Sequence, residues 1–134
     1  MKISKTLPAE EELIPQMIEF VSELNQGLPE QTAFDITLVC EEWLVNIVSY
    51  AYPNCKGDFT IHWENDIENK NITITFEDSG IPFNPLLTDE PDVNVHFQER
   101  NVGGLGIMLV RQRMNSMDYI HRNGKNILTV KKVY

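Results

Sequence analysis

Phe59-Thr60-Ile61-His62-Trp63-Glu64 alternates apolar and polar residues, and Ile72-Thr73-Ile74-Thr75-Phe76-Glu77 repeats the pattern after a polar turn over 65–71. Successive side chains of a strand point to opposite faces, so each segment has one apolar and one polar side. Joined by a short turn, the two predict an antiparallel hairpin with one face against a core. A fold built on such a hairpin needs a second layer to cover that apolar face.

The segments before the hairpin supply the layer. Ile36, Val39, Cys40, Trp43, Leu44, Ile47 and Val48 recur at helical spacing, predicting a long helix over 29–51 ended by Pro53-Asn54. Leu13, Met17, Phe20, Val21 and Leu24 predict an earlier helix closed by Asn25-Gln26-Gly27. Pro15 either starts that helix or kinks it. Residues 3–7 read as a short first strand. Beyond the hairpin, 84–102 lacks periodicity and reads as a long loop that could act as a lid. A third helix is expected over 104–114. A strand beginning with Met117, Tyr119 and His121 follows, then the turn signal Asn123-Gly124 and a closing strand over 127–133. The order β-α-α-β-β-loop-α-β-β predicts an α+β fold: a two-layer α/β sandwich whose mixed, mostly antiparallel sheet has helices on one face. The whole chain, 1–134, reads as a single domain.

Of 134 residues, 42% are hydrophobic, enough to bury a core, and the net charge is −9. That charge argues against a direct nucleic-acid surface. No apolar run approaches membrane-spanning length, and Glu10-Glu11-Glu12 interrupts any signal-peptide core. Two cysteines make neither a disulfide framework nor a metal set, so the cytoplasm is the expected compartment and Cys40 reads as a small core residue. Lys131 and Lys132 read as a solvated strand end.

Three places could carry chemistry. Glu42 and Asn46 are four residues apart, which stacks them on one helix face. Asp78 and Gly80 sit at a strand end. Gly103, Gly104 and Gly106, three of the chain's seven glycines, open the third helix. Backbone N–H groups at a glycine-rich helix start form an anion cradle. An aspartate only accepts hydrogen bonds, so Asp78 could recognise an exocyclic amine. Asn46 offers a neutral oxygen to Mg2+, and Glu42 could take a proton from an attacking hydroxyl. Singly, each has a plainer reading: solvated helix residues, a simple turn, a loop before a core helix. The G-x-x-x-x-G-K-S/T phosphate loop and the eukaryotic-type kinase signatures are absent.

Taken in order, Glu42-x-x-x-Asn46, Asp78-x-Gly80-x-Pro82-Phe83 and Gly103-Gly104-Leu105-Gly106 resemble the three sequence boxes of the GHKL (histidine kinase-like) ATPases. Glu41 to Tyr52 and Leu105 to Met114 more closely resemble bacterial anti-sigma-factor serine/threonine kinases. The resemblance covers nearly the whole chain. It implies a Bergerat-type ATP site with Asn46 on Mg2+, Glu42 as base, Asp78 on the adenine amine with Gly80 and Pro82 beside it, and Gly103, Gly104, Leu105 and Gly106 on the phosphates. Arg100 is carried over as a γ-phosphate contact. It further implies a kinase that phosphorylates an anti-anti-sigma (STAS-type) partner and sequesters a sigma factor, commonly as a homodimer. The alternative is a catalytically weak, ATP-gated protein-binding module. Two positions depart from the pattern. Tyr50 stands where a histidine is common, and Asn126-Ile127 stands where relatives often carry a threonine near the adenine.

Overall fold

The computed structural model describes residues 2–87 and 107–134. Strand β1 (Lys2–Pro8) leads through a 3-10 turn (Glu11–Leu13) into helix α1 (Ile14–Leu24) and then helix α2 (Glu30–Tyr50). Strands β2 (Asp58–Asp66) and β3 (Asn71–Asp78) form the expected hairpin. A 3-10 turn (Pro85–Leu87) follows. Helix α3 is described over 107–113, and β4 (Ser116–Arg122) and β5 (Lys125–Val133) close the chain.

The five strands lie in the order β1-β2-β3-β5-β4, with all four pairings antiparallel. The final strand therefore inserts between β3 and β4, inside the sheet. Its register sets Asp78 opposite Phe59 on one side and Asn126 on the other. The turn that permits this is Asn123-Gly124, both at positive φ (54° and 76°), as a two-residue hairpin of matching twist requires.

Alternation along the strands decides which face is buried. Phe59, Ile61, Trp63, Ile72, Ile74, Phe76, Leu128 and Val130 all point into one core. Met17 and Val21 of α1, six α2 residues from Ile36 to Ile47 with the cap residue Ala51, and Ile107 and Val110 of α3 cover them. Each large aliphatic or aromatic side chain so buried contributes about 1.5–3 kcal/mol relative to exposure. Cys40 is fully buried there, and burial pushes its thiol far above the ordinary range, so it packs as a hydrophobe. The opposite sheet face is polar. On it, Ser4 Oγ lies 2.5 Å from His62 Nδ1, and His62 Nε2 lies 3.1 Å from Glu77 Oε1.

Pro15 occupies the first turn of α1, so it marks the helix start and no kink results. Its missing N–H falls where a helix has no partner for one. Gly27, at φ +93°, ends the element.

Lys131 is exposed as expected, but Lys132 is not a solvated strand end. Its Nζ lies 3.1 Å from Asp35 Oδ2 and donates to the Arg113 carbonyl at 2.5 Å. Asp35 is buried on α2 and also takes Arg113 at 3.0 Å and Gln31 at 2.9 Å. Burial pushes this carboxyl up. The hydrogen bonds from Lys132, Gln31 and Arg113, with the Lys132 charge, outweigh that and hold it below the ordinary range. One carboxylate thus ties α2 to the end of α3 and to β5.

Candidate functional site

Helix α2 carries the first pair of expected residues. Its core row runs through Ile36, Val39, Cys40, Trp43, Leu44 and Ile47. Asn46 borders that row and is only 6% exposed. Nothing among the described residues hydrogen-bonds its carboxamide. Its polar atoms are also not sealed: among the described residues, Asn25 Nδ2 alone is sealed without a partner. A buried carboxamide left open in this way can still serve a ligand. Glu42 lies one turn back, about 6 Å along the axis, and is partly exposed. Burial first, and then the neighbouring Glu41 charge, push its carboxyl up. A carboxylate of raised pKa is the better proton acceptor.

The second group sits where β3 ends. Asp78 is 7% exposed, and its Oδ1 accepts from Gly80 N–H at 2.9 Å and from Asn126 Nδ2 at 2.9 Å. Burial pushes its carboxyl up; the Asn126 and Gly80 hydrogen bonds and the His121 charge pull it only partly back.

The turn after Asp78 closes onto α2 at two levels. Ile81 N–H donates to the Ala51 carbonyl at 2.9 Å. Gly80 lies so close that a Cβ there would stand 2.3 Å from that same oxygen. Eight residues earlier on α2, the Trp43 ring stacks on Phe83, with centroids 6.4 Å apart and planes 20° apart. Asn46 lies between these two levels of the helix. The sequence motifs around Asn46, Asp78, Gly80 and Pro82 are thus brought together.

Tyr52 holds the arrangement from the far end of α2. Its hydroxyl donates to the Asp58 carbonyl at 2.6 Å and accepts from Ser79 N–H at 2.7 Å. Burial keeps the phenol protonated, and the ring fills the space a Gly57 side chain would need. Sequence reasoning assigned no role to Tyr52 or to Tyr119, whose hydroxyl donates to Asn126 Oδ1, and it marked Asn126 only as a departure from the family pattern. The structure sets Asn126 in register opposite Asp78.

Arg100, Gly103, Gly104, Leu105 and Gly106 lie outside the described residues, as does most of the expected loop. The helix they were expected to open is tied in place further along. Arg111 donates to the carbonyls of Pro85 at 3.0 Å and Leu86 at 3.2 Å, so α3 runs beside the segment that leaves Asp78. No helix among the described residues is long and apolar enough to cross a membrane.

Comparison with known proteins agrees with this architecture. The chain matches the histidine kinase-like ATPase domain over residues 7–132. It is 30% identical over 98 residues to the serine/threonine-protein kinase BtrW of Bordetella bronchiseptica, covering 72% of this chain and 68% of that one. It is 24% identical over 133 residues to the serine-protein kinase RsbW of Bacillus mycoides, covering 90% of this chain and 82% of that one. In structure it resembles the histidine kinase domain of a blue-light activated histidine kinase from Erythrobacter litoralis, with a TM-score of 0.58 and 18% identity. That match spans 90% of this chain but only 59% of the other, and it bears on the fold alone. With the match running from Leu7 to Lys132, the chain belongs to the histidine kinase-like ATPase domain family.

Proposed function

We propose that this chain is an ATP- and Mg2+-dependent protein serine/threonine kinase of the anti-sigma type. In this reading it phosphorylates an anti-anti-sigma (STAS-type) partner, holds a sigma factor when that partner is unavailable, and acts in the cytoplasm as a homodimer. Family membership and the names of the two relatives, both protein kinases, support the reaction class. The observation that carries the reading is the closure of the turn after Asp78 onto α2 at both Ala51 and Trp43, with Asn46 between.

The residues fit the ligands. Asp78 is buried, accepts hydrogen bonds and sits beside a glycine, which suits a purine amine with the base lying close to backbone. Asn46 presents an open, neutral carboxamide oxygen of the kind Mg2+ takes alongside waters. Bound Mg2+ would supply charge neutralisation on the phosphate oxygens. Gly103, Gly104, Leu105 and Gly106 are assigned to the phosphates, Arg100 to the γ-phosphate, and Pro82 to the wall beside the base. Glu42 takes the proton of the partner's hydroxyl. That oxygen bonds to the γ-phosphorus while the bridging bond to the β-phosphate breaks, releasing ADP.

The test is incubation with ATP, Mg2+ and the candidate partner encoded beside it. Phosphoserine or phosphothreonine should form on the partner. Glu42→Gln should lower the transfer rate about a hundredfold or more, the scale of general-base catalysis, while nucleotide affinity stays within about threefold. Transfer undiminished in Glu42→Gln refutes the role of Glu42. Binding with no transfer to any candidate refutes the kinase and leaves the ATP-gated binding module.

A further inference from the structure

Asn126 is the most fully committed polar side chain in the described site. Its Nδ2 donates to Asp78 Oδ1 at 2.9 Å and to the Ile81 carbonyl at 2.9 Å, with the Gly80 carbonyl further off at 3.4 Å. Its Oδ1 accepts from Phe83 N–H at 3.2 Å and from the Tyr119 hydroxyl. A carboxamide has two N–H donors and two acceptor lone pairs, and all four are used. The orientation is fixed by the partners: Phe83 N–H can only donate and the Ile81 carbonyl can only accept. At 6% exposure, a side chain so occupied has no group left for a ligand.

Asp78 is the complement. Its Oδ1 takes two internal donors, Gly80 N–H and Asn126 Nδ2. Its Oδ2 has no hydrogen-bond partner among the described residues and is not sealed from solvent. The two oxygens are therefore not equivalent. Asn126 holds one and, through Ile81 and Phe83, also pins the turn that forms the neighbouring wall.

We infer that Asn126 is a positioning residue that dedicates Oδ2 of Asp78 to the ligand, and so sets selectivity for a 6-amino purine over a 6-oxo purine. This rests on the nucleotide reading above. An acceptor-only oxygen aimed at the base takes an N–H from an amine and meets a carbonyl lone pair to lone pair. Without the clamp, Asp78 can turn either oxygen, or admit water, and the distinction weakens.

The test measures ATP and ITP binding, each with Mg2+, by isothermal titration on wild type and on Asn126→Leu, with a thermal melt of each. Leucine keeps the side-chain shape and removes every donor and acceptor. Wild type should prefer ATP by about tenfold or more, as expected when a buried polar group is left unpaired by the wrong ligand. In Asn126→Leu the ATP affinity should fall about tenfold while ITP affinity moves by less than about threefold, so the preference collapses. A merely structural role would weaken both nucleotides alike, and equal losses overturn the assignment. Wild type that binds ATP without preferring it to ITP overturns it as well, with the nucleotide reading intact. Wild type that binds neither takes that reading down, and this assignment with it. If Asn126→Leu does not fold, NMR of wild type decides. The Asn126 side-chain amide protons should be equally slow to exchange with and without ATP, because their partners are internal. Amide protons that exchange freely until ATP is added make Asn126 a ligand contact and overturn the assignment.

Discussion

Replacing the buried Asp35 with asparagine should cost the fold more than removing any other single charge on α2. The carboxylate makes three polar contacts: Gln31 at 2.9 Å, Arg113 at 3.0 Å and Lys132 at 3.1 Å. Removing one partner of a buried ion pair costs about 3–5 kcal/mol when the other charge is stranded. Here the stranding is incomplete, because the Arg113 side chain is 38% exposed and that of Lys132 20%, so both cations regain water. Asparagine can also keep an acceptor near Arg113. The loss is therefore about 2–3 kcal/mol, below the buried-pair range. A chain of 134 residues unfolds with an entropy near ~0.28 kcal/mol/K at about 2.1 cal/mol/K per residue, so the melting temperature should drop by about 7–11 °C. The pH dependence carries a sign. The folded-state carboxyl is held below its ordinary value, so its contribution is full above the unfolded pKa of about 3.9 and is lost as pH falls through the folded value. Melts of wild type and Asp35→Asn by circular dichroism should therefore differ by a constant gap from neutrality down to about pH 5, narrowing only below about pH 4. A gap under about 2 °C at pH 7, or one that widens on acidification, refutes the claim that this cluster joins α2, α3 and β5.

Gly80→Ala should destabilise by about 1–3 kcal/mol, the cost of overpacking, since the new Cβ meets the Ala51 carbonyl at 2.3 Å and the Ala51 Cβ at 2.5 Å. A thermal melt checks this, and an unchanged melting temperature shows that the turn does not lie on α2 as described. Asp78→Asn should leave the protein as stable or more stable at pH 7 while weakening ATP about tenfold, because it removes a costly buried charge and the acceptor together. For wild type the sign follows from the raised carboxyl. Acidification protonates Asp78 at a pH above its ordinary value, so ATP affinity should begin to fall there while the cost of burying this charge is relieved. Tyr52→Phe removes the hydroxyl between Ser79 N–H and the Asp58 carbonyl and should cost about 0.5–1.5 kcal/mol by urea titration. A cost near zero would mean that water replaces it fully.

What the sequence made legible follows from the range over which each signal acts. Alternation in 59–64 and 72–77 is local, and it fixed the hairpin and its buried face. The Asn123-Gly124 pair is local too, because only that chemistry suits two positive φ values in succession. The four-residue spacing of Glu42 and Asn46 predicted a shared helix face, but not that Asn46 would be buried while Glu42 stays partly exposed. That difference depends on what packs over the helix. Pro15 left two outcomes open because proline is accepted at a helix start and also kinks a helix interior, and the choice fell to the 3-10 turn at Glu11–Leu13. The most consequential contacts are non-local. Asn126 reaches Asp78 only because β5, and not β4, lies against β3. Lys132 reads as one of two adjacent lysines until the same insertion points it at Asp35. Both follow from one topological fact, the placement of the last strand between β3 and β4, which no short-range pattern encodes. Shifting the β3–β5 register by one residue would turn Asn126 to the opposite face and move Lys132 away from Asp35. The clamped carboxylate of Asp78 and the ion cluster therefore stand or fall together with that register. An Asn123-Gly124 variant that slips it should lose ATP selectivity and the Asp35-dependent part of the stability in the same step.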